Sequence, residues 1–294
     1  MKTNIIKTYT LITIAVFILN SSFALGSRKD SSHVYKVNYW VTGIIDIGGT
    51  AANLASINRI YNKAAMTNAD FLTLNKNAFS KFDQRAFKQD PSKRGMYQTI
   101  SDFTLGGTIL LPLVLGFDQT ISKDWKDLLL MYYEMHMVAF GFYNYSPMGP
   151  TFVNKYRPQV YYDYFTMDQR RTGKNNSAFY SGHIASDVAS TFFMVKVYSH
   201  YHPQIGWKKY LLYGAAAVPP LILCDLRVKS LSHFPSDNMV GMGVGMVIGI
   251  VVPELHKMKN RSVSLGMFSD DKAAGVSLTW KPDVVNKKKL DSGL

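Results

Sequence analysis

Three short clusters in this 294-residue chain are of the right residue types to handle phosphate: Lys155-Tyr156-Arg157-Pro158, Ser181-Gly182-His183, and Arg227 followed by His233 and Asp237. Each stands beside an apolar run of helix length, which would put the chemistry at the ends of helices that pack together. In Ser232-His233-Phe234-Pro235-Ser236-Asp237, the proline suits the first turn of a helix, where its missing N–H costs nothing. That reading sets His233 at the helix mouth and Asp237 within the first turn, near enough to hydrogen-bond the imidazole. A carboxylate on one ring nitrogen fixes the tautomer and leaves the lone pair of the other as a nucleophile. Arg227, in the preceding turn or loop, would offer a planar fork to phosphate oxygens.

Ser181 suits the N-cap of the next apolar run, and the free N–H groups of a helix start bind anions. Gly182 would let the backbone come close to a ligand, and His183 could protonate a departing oxygen as a general acid. Arg157 and Lys155 lie in a loop rich in tyrosine and charge. Taken singly, each cluster also has an ordinary reading: an oriented structural histidine, a capped helix with an exposed histidine, a solvated basic loop. The other histidines look incidental. Glu134 and His136 stand two apart on a presumed helix and share no face, while His200 and His202 lack the company of a metal site.

The three motifs in this order, with His233 six and Asp237 ten residues after Arg227, resemble the type 2 phosphatidic acid phosphatase and vanadium haloperoxidase superfamily. The resemblance covers residues 80 to 256. It implies an all-α fold, a helical bundle of about six core helices. It implies that His233 forms a phosphohistidine, that Asp237 orients it, and that His183 is the general acid. Arg157, Arg227 and the Ser181–Gly182 segment would hold the phosphate, with no metal and no cofactor required. The family usually has a lysine seven residues before the first-motif arginine. Here that position is Pro150, and Lys155 is the candidate substitute. Tyr180 and Leu226 replace a usual proline and serine. The substrates implied are a phosphorylated lipid or an isoprenoid diphosphate. Other readings are a soluble periplasmic phosphatase of broad specificity, a vanadate-dependent haloperoxidase and a non-catalytic membrane protein.

The elements that must position these residues are mostly helical. Hydrophobic residues make up 47% and charged residues 18%, enough apolar material for a sizeable core. A net charge of +13 suits anionic partners, and nucleic acid is set aside because no binding module accompanies it. Cys224 is the one cysteine, so no intrachain disulfide can form, and a small buried hydrophobe is expected there. Residues 1–24 read as an export signal: Lys2 and Lys7, an apolar stretch from Leu11 to Leu19, and Ser22-Phe23-Ala24 before the cut. An uncleaved anchor is the other reading, and export places the chain in a bacterial envelope.

Residues 25–95 form an N-terminal helical segment, 96–258 the catalytic bundle and 259–294 a tail. Within the first, 38–58 reads as a helix packed through its small residues rather than facing lipid. A further helix is expected around Asn77 to Phe87, ended by Pro91. Apolar runs follow at Phe103–Phe117, entered from Asp102, and at Leu128–Tyr145, Ile184–Tyr198, Tyr210–Cys224 and Asn238–Pro253. Pro219-Pro220 should kink the fourth. Most runs offer about fifteen apolar residues between charges, short of the roughly 20 that span a bilayer. The Gly- and Met-rich last run and the lysine clusters at shared helix ends nonetheless favour membrane insertion with the motifs on the outer side. In the tail, Val263, Leu265 and Met267 alternate with polar residues, as do Val276, Leu278 and Trp280, which predicts a β-hairpin.

Overall fold

The computed structural model describes residues 33–258 and the two strand segments 263–270 and 273–280. Every helix and strand named below belongs to the unit Val34–Leu294. The proposed export signal lies outside the described residues. Nine helices build the described core: α1 (Tyr39–Tyr61), α2 (Asn68–Leu72), α3 (Arg94–Leu110), α4 (Trp125–Tyr145), α5 (Met167–Arg171), α6 (Gly182–Tyr201), α7 (Lys209–Ala216), α8 (Val218–Lys229) and α9 (Pro235–His256). The core is all-α. In the tail, β1 (Val263–Asp270) pairs antiparallel with β2 (Ala273–Trp280), Val263 opposite Trp280 and Asp270 opposite Ala273.

Helix α6 runs through the middle. Its apolar residues meet α4 and α9 on one side, where Met131, Met135, Phe193 and Val252 are buried together. On the other side Ile184, Val188 and Phe192 pack against Leu223 of α8. Helices α6 and α9 are drawn together by small residues. A Cβ at Gly241 would lie 2.5 Å from Ser181 O, and one at Gly249 would lie 2.5 Å from Ala189 O, with Gly245 pressed as closely on Ala185 O between them. Glycine at every fourth position therefore lets the two backbones touch, and bulk at these points would force the helices apart. This contact brings the start of α6, with Ser181 and His183, against the start of α9, with His233 and Asp237.

Several elements depart from expectation. Helix α3 begins at Arg94, so Asp102 lies two turns inside it rather than at its entrance. Ser101 and Asp102 within it meet Arg227, and the apolar run continues as a 3-10 segment to Phe117. Residues 76–93 form three short 3-10 turns in place of one helix. Their phenylalanines still share a side: Phe79 stacks on Phe234 at 4.6 Å and meets Phe87 at 5.2 Å. The double proline does more than kink its run. The helix breaks at Ala217 and restarts, placing both prolines in the first turn of α8, where their missing N–H groups go unused. Cys224 is half-buried at the edge of the α6–α8 cluster.

Helix α1 is inside out. Thr42, Asp46, Asn53 and Ser56 are buried against α4, whereas Trp40, Ile44 and Ile47 are 85%, 70% and 62% exposed. Its inward side is therefore polar and its outward side apolar. Glu134 explains part of the inward polarity, taking a hydrogen bond from Thr42 Oγ1 at 2.7 Å and lying 3.0 Å from His256 Nε2.

Candidate active site

Arg227 occupies the last turn of α8, 3% exposed. The chain then folds back on it: Arg227 O accepts the N–H of Ser232 at 3.1 Å and of His233 at 3.4 Å. Leu231 takes a left-handed φ of 55° to make this return. His233 is therefore set beside Arg227 by a local turn. The guanidinium Nη1 of Arg227 donates to Ser101 Oγ at 3.1 Å and lies 3.4 Å from Asp102 Oδ1, both on α3.

His233 is 1% exposed, and its Nδ1 lies 2.7 Å from Ala178 O. A carbonyl oxygen can only accept, so Nδ1 carries the proton and Nε2 of the neutral ring keeps its lone pair. Here the structure departs from the expected role of Asp237. That carboxylate accepts the N–H of Phe234 at 2.9 Å through Oδ2 and pairs with Lys155 Nζ at 2.5 Å through Oδ1. It closes the first turn of α9, as an acidic group at a helix start should, while the backbone of Ala178 sets the tautomer. Burial, then the guanidiniums of Arg157 and Arg227, hold the His233 imidazole well below the ordinary histidine range, against the pull of the Ala178 carbonyl.

Lys155 departs from expectation for the same reason. Its ammonium is taken up by Asp237 and rests over the Phe234 ring, 4.8 Å from the centroid. It braces the His233 turn and is not a free phosphate ligand. Asp83, from the 3-10 turns before α3, braces the same spot: Ser236 donates its N–H and hydroxyl to the Asp83 carboxylate at 2.8 and 2.7 Å.

Arg157 precedes the 3-10 turn Pro158–Tyr161, with its N–H bonded to Asn175 O at 2.8 Å and Nη2 to Ser177 Oγ at 3.3 Å. The loop carrying it is clamped by Lys63, whose Nζ donates to Val153 O, Asn154 Oδ1 and Asn176 O, each at 2.9 Å. Burial lowers the pKa of the Arg157 guanidinium. The Nε atoms of Arg157 and Arg227 are buried donors with no hydrogen-bond partner, and so is the Ser181 hydroxyl. Such groups are costly unless something accepts from them.

Ser181 stands at the N-cap position of α6, but its hydroxyl makes no capping bond; its N–H goes to Asp237 O at 3.1 Å. A Cβ on Gly182 would lie 3.0–3.1 Å from the Tyr143 ring, which is why the smallest residue stands there. His183 follows, with Nε2 3.8 Å from Asp102 Oδ1 and 41% of the side chain open. Burial, then Arg227, Arg157 and Lys174, push this imidazole well below its usual range, so at neutral pH its contact with Asp102 is not an ion pair.

Five contributors carry no motif: Ser101 and Asp102 on α3, Ala178, Lys174 and Asp83. The polar lead-in to the first long apolar run was a usable signal for Asp102, read as a helix start when it is a helix interior. Nothing in the local sequence marks Ala178, whose role is played by its backbone.

The fold and site define a class: a helical protein in which two guanidiniums, Arg157 and Arg227, act electrostatically on two imidazoles, His183 and His233, near the N-termini of α6 and α9. Residues 129–261 match the family model described as the PAP2 superfamily. This stretch is consistent with a type 2 phosphatidic acid phosphatase superfamily member, the family that the three motifs resemble, and it contains all three. Ser101, Asp102 and Asp83 lie before it. The match supports a phosphatase-type hydrolase acting on phosphorylated substrates. No curated protein and no solved structure matches the chain.

Proposed function

We propose that the protein is a metal-independent phosphatase of the bacterial envelope that hydrolyses a lipid-linked phosphate monoester or diphosphate through a phosphohistidine. The observation that supports this reading is the Nδ1–Ala178 bond of His233, which leaves Nε2 with its lone pair, while burial and the charges of Arg157 and Arg227 keep the ring neutral. Nε2 attacks phosphorus as the bond to the leaving oxygen breaks, and that oxygen takes its proton from His183. Water, deprotonated by His183, then releases phosphate and restores Nε2. Phosphoryl transfer asks little of the protein beyond position and offsetting charge on the equatorial oxygens. Two guanidiniums with spare donors and the start of α6 supply both. A phosphate dianion beside His183 raises its pKa toward the protonated form that a general acid needs.

A lipid carrier is favoured by the outward faces of the helices. Among the described residues, three helical stretches are long and apolar enough to cross a membrane: Pro91–Phe117, Pro203–Lys229 (which includes α7 and α8) and Pro235–His256, with mean hydropathies of 1.6, 1.5 and 1.6. Phe103, Phe117 and Leu211 on them are 79%, 89% and 61% exposed. Together with the inverted α1, this suits a molecule whose solvent is lipid on its flanks. Release of phosphate by the detergent-solubilised protein from phospholipid, polyprenyl and glycolipid phosphates tests the reading. Turnover should survive EDTA, be inhibited by vanadate and be lost in His233→Ala. Turnover undiminished in that variant would reject the mechanism. Peroxide-dependent halide oxidation with added vanadate would instead point to a haloperoxidase.

A further inference from the structure

We infer that Lys174 is a third cation of the phosphate site, its ammonium binding phosphoryl oxygens alongside Arg157 and Arg227. The inference rests on the phosphate-site reading and deepens it. Lys174 belongs to none of the three motifs. It sits in the short turn Gly173–Asn175, between α5 and α6.

Its position is built rather than incidental. Gly173 passes so near Lys63 O that a Cβ there would collide with the carbonyl, which ties this turn to the end of α1. Asn175 Nδ2 holds the turn from the other side, donating to Gln169 O at 2.8 Å and Arg170 O at 3.0 Å. Ser177 Oγ then donates to Lys174 O at 2.7 Å and accepts from Arg157 Nη2 at 3.3 Å. One hydroxyl thus links the Lys174 backbone to the Arg157 guanidinium. The Lys174 ammonium rests over the Tyr61 ring, 5.3 Å from its centroid, and the residue is half-buried.

The charges around it are mostly of its own sign. After burial, Arg157, Arg94 and Arg227 all disfavour the charged ammonium, with Asp102 pulling the other way. That one carboxylate is also within 3.4 Å of Arg227 and 3.8 Å of His183. Cations that disfavour one another in this way are relieved when an anion lies among them. A phosphoryl group, whose equatorial oxygens gain charge in the transition state, is the ligand this field fits. The Lys174 charge is also felt at His183, the proposed general acid, after burial, Arg227 and Arg157. Lys155, by contrast, has its charge met by Asp237.

The test is equilibrium binding of inorganic phosphate and of orthovanadate to the full chain in detergent, comparing wild type, Lys174→Met and Lys174→Arg. Methionine should weaken both anions about tenfold or more, the scale of a lost charge-assisted hydrogen bond. Arginine should restore most of the affinity, with an unchanged thermal midpoint in both variants. In Lys174→Met the limb of the kcat profile that reports His183 should also move to higher pH. Equal affinity in wild type and Lys174→Met overturns the inference even if the protein is a phosphatase. So does weak binding accompanied by a lowered thermal midpoint that arginine does not repair. If wild type binds phosphate, Lys174→Met does not, and no phosphoester is hydrolysed, then the phosphatase reading fails while Lys174 keeps its place. No binding by wild type removes both.

Discussion

Lys155 and Asp237 meet at 2.5 Å across 82 residues of chain, and the pair locks the turn that carries His233 onto the start of α9. The aspartate is fully buried and the lysine 24% exposed. Removing either partner strands a charge, which costs about 3 kcal/mol when the survivor is buried. Lys155→Met, which strands the buried Asp237, should therefore lower the thermal midpoint by about 6–12 °C for a domain of this size, and Asp237→Asn, which leaves the part-exposed Lys155, should lower it less. Because Ala178 O sets the His233 tautomer, the pH profile of the remaining activity should keep its position. A loss of turnover of about four orders of magnitude with no change in stability would return the orienting role to Asp237.

The nucleophile should resist acid. His233 is held well below its ordinary pKa by burial and by Arg157 and Arg227, so the acid limb of kcat/KM is expected below about pH 6.5. Arg157→Met removes one of these cations and should move that limb upward while reducing kcat/KM about a hundredfold or more. A limb that stays in place on loss of Arg157 would mean that His233 does not feel the guanidinium.

The same two imidazoles set a pH dependence of stability. For His183 and His233 the folded pKa lies below the unfolded value of about 6.5. As pH falls through that value the unfolded chain takes up protons that the folded chain refuses, so stability declines from there downward. Above about pH 7.5 these two groups should contribute no slope. Denaturant midpoints between pH 4 and 8 would read this out, and His233→Asn should flatten the acid side.

Helix contact should be sensitive to a single methyl group. Gly245→Ala sets a Cβ into Ala185 O, and forced overpacking costs about 1–3 kcal/mol. Because this contact joins the two helix starts of the site, kcat/KM should fall along with the thermal midpoint. Gly243 has open space at its Cβ, and Gly243→Ala should leave both unchanged.

If the flanks face lipid, the protein should stay with the membrane fraction in high salt and alkaline carbonate, and leave it only with detergent. Recovery in the carbonate supernatant would favour a soluble protein. In that event Trp40, Ile44 and Phe117 would be covered by a protein partner.

Much was decided by the sequence alone. Apolar periodicity and proline placement marked the main helices, including the start of α9 at Pro235, because both are local preferences of the backbone. The three motifs, by type and spacing, were enough to indicate the family whose model matches residues 129–261. What remained was a matter of partners. Two carboxylates and several cations lay within plausible reach of one another, and spacing cannot say which will pair. Only the tertiary structure gave Asp237 to Lys155 and His233 to a backbone carbonyl. The same holds for α1, whose residues suggested small-residue packing without saying which side would face inward. A helix's outward face is decided by its neighbours, here the buried Glu134 of α4, and neighbours distant in sequence leave no local trace.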